Sequence, residues 1–261
     1  MCYDSDAIPP RYGEPLMAAQ AEPLILTSGD GARFAAHLAR PERPSGTAVL
    51  VLPDNRGLSG FYRHLTVRLA EQGHTALAID YYGRTAGTDL AARGADFTSD
   101  ESLFRDHLSK LTPEGLYGDI LTAVDFLCSP AGGSATRAFS LGFCMGGRFA
   151  FLTAAPRFGL DGVIGFYGYP DILLGAPGPT QRAAELTAPI LGLFGGADEN
   201  IPADTVAAFD RALTEAGNEH EFVSYPGAPH GFFDQRLPGH EEACADAWRR
   251  VTSFITATAG P

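Results

Sequence analysis

Short apolar runs alternate with amphipathic helical segments along almost the whole chain, and this alternation restricts the possible folds more than any other feature. The predicted strands are Leu24–Thr27, Arg33–Ala39, Thr47–Pro53, Thr75–Asp80, Thr136–Gly142, Gly162–Gly168, Pro189–Gly195 and Glu219–Pro226. The predicted helices are Tyr62–Gln72, Pro113–Cys128, Met145–Ala155, Pro202–Ala216 and His240–Ala257. Since strands that alternate with helices usually pair in parallel, we expect an α/β fold, with a doubly wound, mostly parallel sheet and helices on both faces.

The segments between the predicted strands and helices indicate a hairpin and two insertions. The sequence SGDGA between the first two strands is typical of a tight turn. Residues 85–111 are polar and acidic, and residues 171–187 are rich in proline and glycine, so both are predicted as surface insertions. The first of them is a candidate flap over a site. With 261 residues, 45% of them apolar, the chain fits one domain over residues 24–261, preceded by an N-terminal extension, 1–23.

Charge and apolar run length restrict the partners. The formal net charge of −12 argues against nucleic acid, because an acidic chain repels phosphate backbones. Residues 1–23 contain no apolar run of signal-peptide length, and no run elsewhere is long enough to span a membrane. We therefore expect a cytoplasmic protein with no membrane partner, present as a monomer or a small homo-oligomer.

The four cysteines, Cys2, Cys128, Cys144 and Cys244, are widely separated, with no spacing typical of a zinc site. In a reducing compartment they are expected to be free thiols. Cys128 and Cys244 lie on apolar faces of predicted helices, which is typical of buried cysteines that pack as small apolar side chains. Cys144 is different, because it occupies the serine position of a G-x-S-x-G pattern.

Three residues suited to nucleophilic catalysis follow three different predicted strands. Cys144 follows the fifth strand, Asp198 the seventh and His230 the eighth. In doubly wound sheets, ligands bind at the carboxyl ends of the strands. The order of nucleophile, acid and histidine along the chain is that of the α/β-hydrolases.

The surroundings of Cys144 suit a sharp turn from a strand into a helix. Such a turn strains the backbone at the nucleophile, so small neighbours such as Gly142 and Gly146 are expected. The helix that begins near Met145 directs its free N–H groups and its dipole at the sulfur, which favours the thiolate. A histidine then takes and returns the proton, while a carboxylate fixes the tautomer of that histidine.

Each residue alone also has an ordinary structural interpretation. Cys144 fits a buried thiol in a glycine-rich turn, Asp198 a helix cap, and His230 a loop histidine without a task. All three together, in this order and at these strand ends, favour a catalytic triad.

Several segments are similar to one known family. GFCMGG, GGADENIP and GAPHGFF resemble the three motifs of the dienelactone hydrolase (carboxymethylenebutenolidase) family, the cysteine-nucleophile branch of the α/β-hydrolases. PDNRGL and DYYGR resemble two further segments, and the similarity extends over about Glu22–Ile255. The resemblance implies an α/β-hydrolase fold and a cysteine at the nucleophile turn.

The resemblance also implies roles for individual residues. Cys144 is the implied nucleophile, Asp198 the orienting acid and His230 the base. The backbone N–H groups of Asn55 and Met145 are implied as the oxyanion hole, placed for the charge that appears on the carbonyl oxygen.

Other positions depart from the family or are open. Asp54 stands where the family has a glutamate beside the thiol, and it is alternatively a turn residue that bonds its own backbone. Asp234 stands where members have an arginine that binds the substrate carboxylate, so a preference for neutral substrates is expected. Arg105 does not align with the family's second arginine. Tyr81 and Arg84 are candidates for the wall of the site, although Arg84 is equally compatible with a structural ion pair.

The sequence therefore predicts a hydrolase that cleaves a small ester or lactone through an acyl-thioester on Cys144, without a metal or an organic cofactor. A broader carboxylesterase or thioesterase for neutral substrates is an alternative within the same class. A non-catalytic scaffold that binds an acyl ligand, or that senses oxidants through its thiol, is the alternative from another class.

Overall fold

The computed structural model describes Tyr3 and residues 7–92 and 101–257, with the backbone alone for residues 101–104. The strands are β1 (Ala19–Thr27), β2 (Arg33–Pro41), β3 (Thr47–Leu52), β4 (Thr75–Ile79), β5 (Arg137–Phe143), β6 (Gly162–Phe166), β7 (Ile190–Gly195) and β8 (His220–Tyr225). The helices are α1 (Gly60–Glu71), α2 (Gly83–Ala86), α3 (Glu101–Ser109), α4 (Pro113–Cys128), α5 (Met145–Leu152), α6 (Ala203–Ala216) and α7 (Glu241–Ala257). Among the described residues, no helix is both long enough and apolar enough to cross a membrane.

Every predicted strand and helix overlaps an observed one, and most ends differ by one or two residues. Helix α4 has the predicted bounds, because the Thr112 side chain accepts a hydrogen bond from the Gly115 N–H at its start. The largest difference is at β1, which begins at Ala19, inside the segment predicted as an extension. The first five residues of β1, AQAEP, lack the apolar run from which the strand was predicted, and they include Pro23. A strand tolerates proline when it lies at a sheet edge, as β1 does.

Contacts divide the chain into two compact units, where the sequence predicted one domain. The described part of the N-terminal unit is Glu14–Ala138, and that of the C-terminal unit is Tyr3, Ala7–Gly13 and the residues from Phe139 onward. The boundary falls inside β5 and not in a linker, so no change of composition reports it. By their contacts, residues 7–13 belong to the C-terminal unit, whereas Glu14 and the residues that follow it belong to the N-terminal unit.

The N-terminal unit contains a mixed sheet. Strands β1 and β2 form an antiparallel hairpin through the predicted SGDGA turn, in which Ser28 N–H donates to Ala32 O at 2.8 Å. Strand β2 pairs antiparallel with β4, and β4 pairs in parallel with β3. Strands β3 and β4 are buried along their whole length, as expected of strands covered on both faces. This unit holds Asp54 and Asn55 just beyond β3.

The C-terminal unit contains strands β5 to β8, which pair in parallel in chain order. Helix α5 begins one residue after Phe143, the last residue of β5. An aromatic cluster fills the core near this point, with the Phe143 and Phe166 rings stacked at 4.7 Å between centroids. The carboxyl ends of these strands carry Cys144, Asp198 and His230, so one unit contains all three predicted catalytic residues.

The two predicted insertions have different structures. The candidate flap, residues 85–111, contains the second half of α2 and the whole of α3, which the sequence did not predict, while residues 93–100 lie outside the described residues. The second insertion contains a loop held from inside by the buried Arg148 side chain, which donates to the carbonyl oxygens of Tyr169 and Pro177 at 2.9 and 3.3 Å and to that of Asp171. That insertion is therefore an anchored loop.

Candidate active site

Cys144 lies at a sharp turn between β5 and α5, in a backbone conformation that few non-glycine residues adopt. Its φ is 54° and its ψ is −113°. The Cys144 N–H donates to Phe166 O at 3.0 Å on the neighbouring strand β6, and its carbonyl accepts the Arg148 N–H at 3.0 Å in the first turn of α5. Strain of this kind persists only where surrounding structure imposes it, and it occurs mainly at functional sites.

Glycines make this turn possible because the backbone passes close to itself. A Cβ atom on Gly142 would lie 1.9 Å from the Gly146 carbonyl oxygen, and one on Gly147 would lie 2.5 Å from the Phe166 carbonyl oxygen. The sequence predicted the need for glycine at 142 and 146 but not at 147. The pair of glycines in GFCMGG is the signal that pointed to this second close approach.

Asp198 and His230 form a close pair in the loops after β7 and β8. The Asp198 Oδ2 lies 2.6 Å from the His230 Nδ1, and the carboxylate side chain is 1% exposed. Asp198 Oδ1 accepts the Asn200 N–H at 2.8 Å, which fixes the orientation of the carboxylate. The helix-cap interpretation of Asp198 is wrong, because α6 begins at Ala203 after Pro202 and has no side-chain cap.

The Cys144 side chain lies close enough to the His230 imidazole to change the pKa of that imidazole. Burial lowers the pKa of the imidazole, but hydrogen bonds to Asp198 and Cys144 and the negative charge of both groups outweigh burial and raise the pKa of His230 to about 9. The imidazole is therefore protonated at neutral pH. The three predicted residues lie together as a connected row of sulfur, imidazole and carboxylate.

Tyr167 is a site residue that the sequence analysis missed. It follows β6, is fully buried, and its ring centroid lies 4.9 Å from that of the His230 imidazole. It also has a positive φ of 36°. Its position at the carboxyl end of a parallel strand, in the segment FYGY, was the signal available in the sequence.

The residues after β3 form a turn that their own unit holds in place. Asp54 is buried, and its Oδ1 accepts the Arg56 N–H at 2.8 Å, which is the turn interpretation left open by the sequence. The Asp54 N–H donates to the Tyr62 hydroxyl at 2.8 Å. The Tyr82 hydroxyl donates to the carbonyl of Asn55. The role of Asn55 in an oxyanion hole stays a prediction.

Met145 is the first residue of α5, so its N–H has no intrahelical carbonyl to bond. The N–H groups of a first helical turn attract negative charge, since the helix dipole is positive there. This position suits the oxyanion role implied for Met145, and that role stays a prediction.

Tyr81 and Arg84, the two candidates for the site wall, bond to groups of the N-terminal unit. The Tyr81 side chain is buried, and its hydroxyl donates to Pro53 O at 2.8 Å. Arg84 donates to Asp119 at 2.7 and 3.1 Å and to Asp30 at 2.5 Å. The structural ion pair, which the sequence left open for Arg84, is therefore present.

Replacing Arg84 with methionine is expected to destabilise the protein by about 3 kcal/mol, because the Asp119 side chain is 3% exposed and would lose its cation. Lys110→Met is the matched control, since Lys110 and Asp106 are both more than half exposed and such pairs contribute less than about 1 kcal/mol. Urea unfolding measures both. A fall in kcat/KM for Arg84→Met, measured under conditions in which the variant is folded, would instead support the interpretation of Arg84 as part of the wall of the site.

Two other described thiols differ from Cys144. Cys244 is buried as predicted, and burial raises its pKa to about 11. Cys128 is exposed, so the prediction that it packs as a buried apolar side chain is wrong. It is the last residue of α4, where the apolar face gives way to the surface. Within the described ranges, no group of three or more His, Cys, Asp or Glu residues is placed to hold a metal ion.

Comparison with known proteins decides the family. The model of the dienelactone hydrolase family matches residues 34–259. The chain belongs to the dienelactone hydrolase family. Among relatives of this family, the protein named "Putative carboxymethylenebutenolidase" of Salmonella typhimurium (strain LT2) is 33% identical over 242 residues, which cover 90% of this chain and 86% of that protein. A relative of the same name from Saccharolobus solfataricus is 31% identical and covers 90% and 98%.

A solved structure of the family agrees with this assignment. The crystal structure described as a "Putative Dienelactone Hydrolase" from Klebsiella pneumoniae is similar at a TM-score of 0.80 and 31% identity, and it covers 92% of this chain and 99% of that one. The predicted fold class is thereby confirmed: the chain has an α/β-hydrolase fold with a mostly parallel sheet. As a member of the dienelactone hydrolase family, it is a hydrolase.

Proposed function

We propose that the chain hydrolyses a small ester or lactone, of the dienelactone type, through an acyl-thioester on Cys144. The observation that carries this proposal is that the His230 Nδ1 lies 2.6 Å from Asp198 Oδ2, while the Cys144 side chain interacts with the same imidazole. Nucleophilic catalysis needs this row: a nucleophile, a base within reach of it, and a third group that orients the base.

The reaction begins with the protonated imidazole beside the sulfur. The Cys144 thiolate attacks the carbonyl carbon, and the negative charge that develops on the carbonyl oxygen is stabilised by the Met145 N–H. The tetrahedral intermediate collapses as His230 gives its proton to the leaving alkoxide. The products of this half-reaction are an alcohol and an acyl-thioester.

The second half-reaction restores the enzyme. Neutral His230 takes a proton from a water molecule as that water attacks the thioester carbonyl. Collapse of the second intermediate releases the acid and the thiolate, and the imidazole keeps the proton. One water is consumed in each cycle, and Asp198 holds the imidazole through Nδ1 in both halves.

A lactone suits this chemistry. Its alcohol leaving group stays tethered to the acyl part, and the low basicity of a thiolate makes it a less general nucleophile than an alkoxide.

The negative charge of Asp234, from which the sequence predicted a preference for neutral substrates, is a weaker argument in the structure. Asp234 is buried, its Oδ1 accepts the N–H groups of Ile8 and Arg236 at 3.2 and 3.0 Å, and its Oδ2 lies 3.7 Å from the Arg236 guanidinium.

The pH dependence of alkylation tests the proposal. Because the pKa of His230 is about 9, the imidazole stays protonated up to that pH and favours the thiolate, so iodoacetamide is expected to react with Cys144 rapidly near neutral pH. Buried Cys244, with a pKa of about 11, is the internal control and should react slowly. In His230→Gln, the Cys144 rate near pH 7 should fall roughly tenfold or more. Mass spectrometry of peptides measures each thiol.

Turnover measured in the same samples separates an enzyme from a scaffold. Hydrolysis of p-nitrophenyl acetate and of a dienelactone should fall in proportion to the alkylated fraction of Cys144. Equal labelling of the three described thiols would contradict an activated thiolate. Reaction with peroxide but no turnover of any ester would support the redox-sensing scaffold and overturn the proposed function.

A further inference from the structure

The N-terminal segment, defined as Tyr3 and Ala7–Gly13, packs on the unit that carries the candidate triad. The Ile8 N–H donates to Asp234 Oδ1 at 3.2 Å, and the Gln235 N–H donates to Ile8 O at 2.9 Å. Further along, the Tyr12 hydroxyl donates to Glu241 O at 2.9 Å. The segment therefore follows the loop between His230 and α7, and its backbone is bonded to that loop.

Tyr3 reaches further into the unit than the rest of the segment. Its side chain is buried, and its ring centroid lies 6.1 Å from that of Phe143, the residue before Cys144. The Tyr3 hydroxyl donates to Phe233 O at 3.1 Å, and the Tyr3 and Tyr167 hydroxyls share a second hydrogen bond. A tyrosine hydroxyl has a single proton, so Tyr167 is the donor to Tyr3.

Tyr167 connects this pair to the imidazole. Its ring packs against the His230 ring at 4.9 Å between centroids. The Tyr167 backbone has a φ of 36°, a costly conformation for a bulky aromatic residue, and its N–H donates to Leu193 O at 2.7 Å. The phenol is thus fixed at its backbone end by this bond and at its hydroxyl end by Tyr3.

We infer that Tyr3 is a positioning residue for catalysis: through Tyr167, whose ring packs against the His230 imidazole, it limits the movement of that ring, while Asp198 bonds its Nδ1. The interactions with Asp198 and Cys144 fix the polar atoms of the imidazole, and packing of the Tyr167 ring against it opposes rotation of the ring plane about those interactions. An imidazole that swings loses its alignment with the sulfur and with the leaving group, and small misplacements of a catalytic group are costly. This inference rests on the proposed function and assigns the N-terminal segment a part in it.

The test compares tyrosine-to-phenylalanine variants in the full chain. Tyr3→Phe keeps the ring beside Phe143 and removes the hydroxyl, so packing survives while the bonds to Tyr167 and to Phe233 O are lost. We expect kcat to fall roughly three- to tenfold with KM within about twofold, since substrate binding is untouched. Tyr12→Phe is the matched control, because it removes another hydroxyl of the same segment, one that bonds Glu241 and does not contact Tyr167 in the bonds described.

A second readout does not depend on turnover. A loosely held imidazole bonds the thiolate and Asp198 less well, so the pKa of His230 should fall and that of the thiol should rise. In Tyr3→Phe, the ratio of the Cys144 alkylation rates near pH 6 and near pH 9 should therefore fall severalfold, while Tyr12→Phe keeps the wild-type ratio. Tyr167→Phe, which keeps the bond from Tyr3 to Phe233 O, should match Tyr3→Phe, and the double variant should be no worse than either alone, because all three lack the hydrogen bond between residues 3 and 167.

Two results would overturn this inference. One is that Tyr3→Phe keeps the wild-type kcat and the wild-type alkylation ratio. The other is that Tyr12→Phe lowers kcat and the ratio as much as Tyr3→Phe does, which would show a general loss of stability. Failure of the proposed function is distinguishable, since it appears as turnover in Cys144→Ala whatever residue stands at position 3.

Discussion

Cys144→Ala is expected to abolish ester hydrolysis, with a loss of roughly 10⁴-fold or more in kcat. In the proposed mechanism, the thiol is the group in the row of sulfur, imidazole and carboxylate that forms a covalent bond with the acyl group, so its removal leaves His230 and Asp198 with no nucleophile to assist. The substitution removes one sulfur at a half-buried position, so folding should be little affected. Initial rates with p-nitrophenyl acetate, corrected for the uncatalysed reaction, measure the loss.

Cys144→Ser separates the geometry of the turn from the chemistry of the sulfur. Serine keeps a nucleophilic atom at nearly the same place, but its hydroxyl is far less acidic than a thiol, so it does not form the anion with which the proposed mechanism begins. We expect a small residual rate, well below wild type and above Cys144→Ala. Cys128→Ala, which removes an exposed thiol at the end of α4, is the control and should keep full activity. Substantial turnover in Cys144→Ala would refute the acyl-thioester.

Gly142→Ala is expected to destabilise the protein by roughly 3 kcal/mol or more and to inactivate the molecules that still fold. The added methyl group would lie 1.9 Å from the Gly146 carbonyl oxygen, which is backbone and cannot rotate away. Relief requires α5 to move relative to β5, and this movement displaces Cys144 from His230. Urea unfolding and the specific activity of the folded fraction measure the two effects separately.

Gly29→Ala is the control for this substitution. A Cβ atom at position 29, in the turn between β1 and β2, has no other atom within 4 Å. The change should therefore alter stability by no more than about 0.5 kcal/mol and leave activity as it is. If Gly142→Ala were as stable and active as Gly29→Ala, the claim that the Gly146 carbonyl oxygen leaves no room for a Cβ atom at position 142 would be refuted.

The secondary structure was predictable because its signals are local. Continuous apolar runs indicated the buried strands, and Thr112 before Pro113 marked the start of α4 one residue in advance. The N-terminal boundary was not predictable in the same way. Tyr3 and Ile8 belong to no periodic pattern, and both bond to the loop beyond His230, more than 200 residues away in the chain.

The candidate site was predicted in part. The motifs around Cys144, Asp198 and His230 each follow a strand, and the rule that parallel strands end at one edge was enough to expect them together. Arg84 shows the limit of such reasoning, because its surroundings in the sequence do not reveal Asp30 and Asp119 as its partners. Tyr167 shows another limit: an aromatic residue after a strand is usually part of the core, and its contact with His230 depends on the packing of two separate strands.

The sequence by itself determined the order of strands and helices, the glycine-rich turn at Cys144 and the membership of a hydrolase family. These depend on residue type and on neighbours a few positions apart. Only the tertiary structure decided that Tyr167 packs against the imidazole, how strongly that ring holds its proton, and that Tyr3 reaches Tyr167. Those properties depend on distances between residues that are far apart in the chain. The pKa of the imidazole, for example, results from burial that lowers it and negative charge that raises it, and neither can be read from a local pattern.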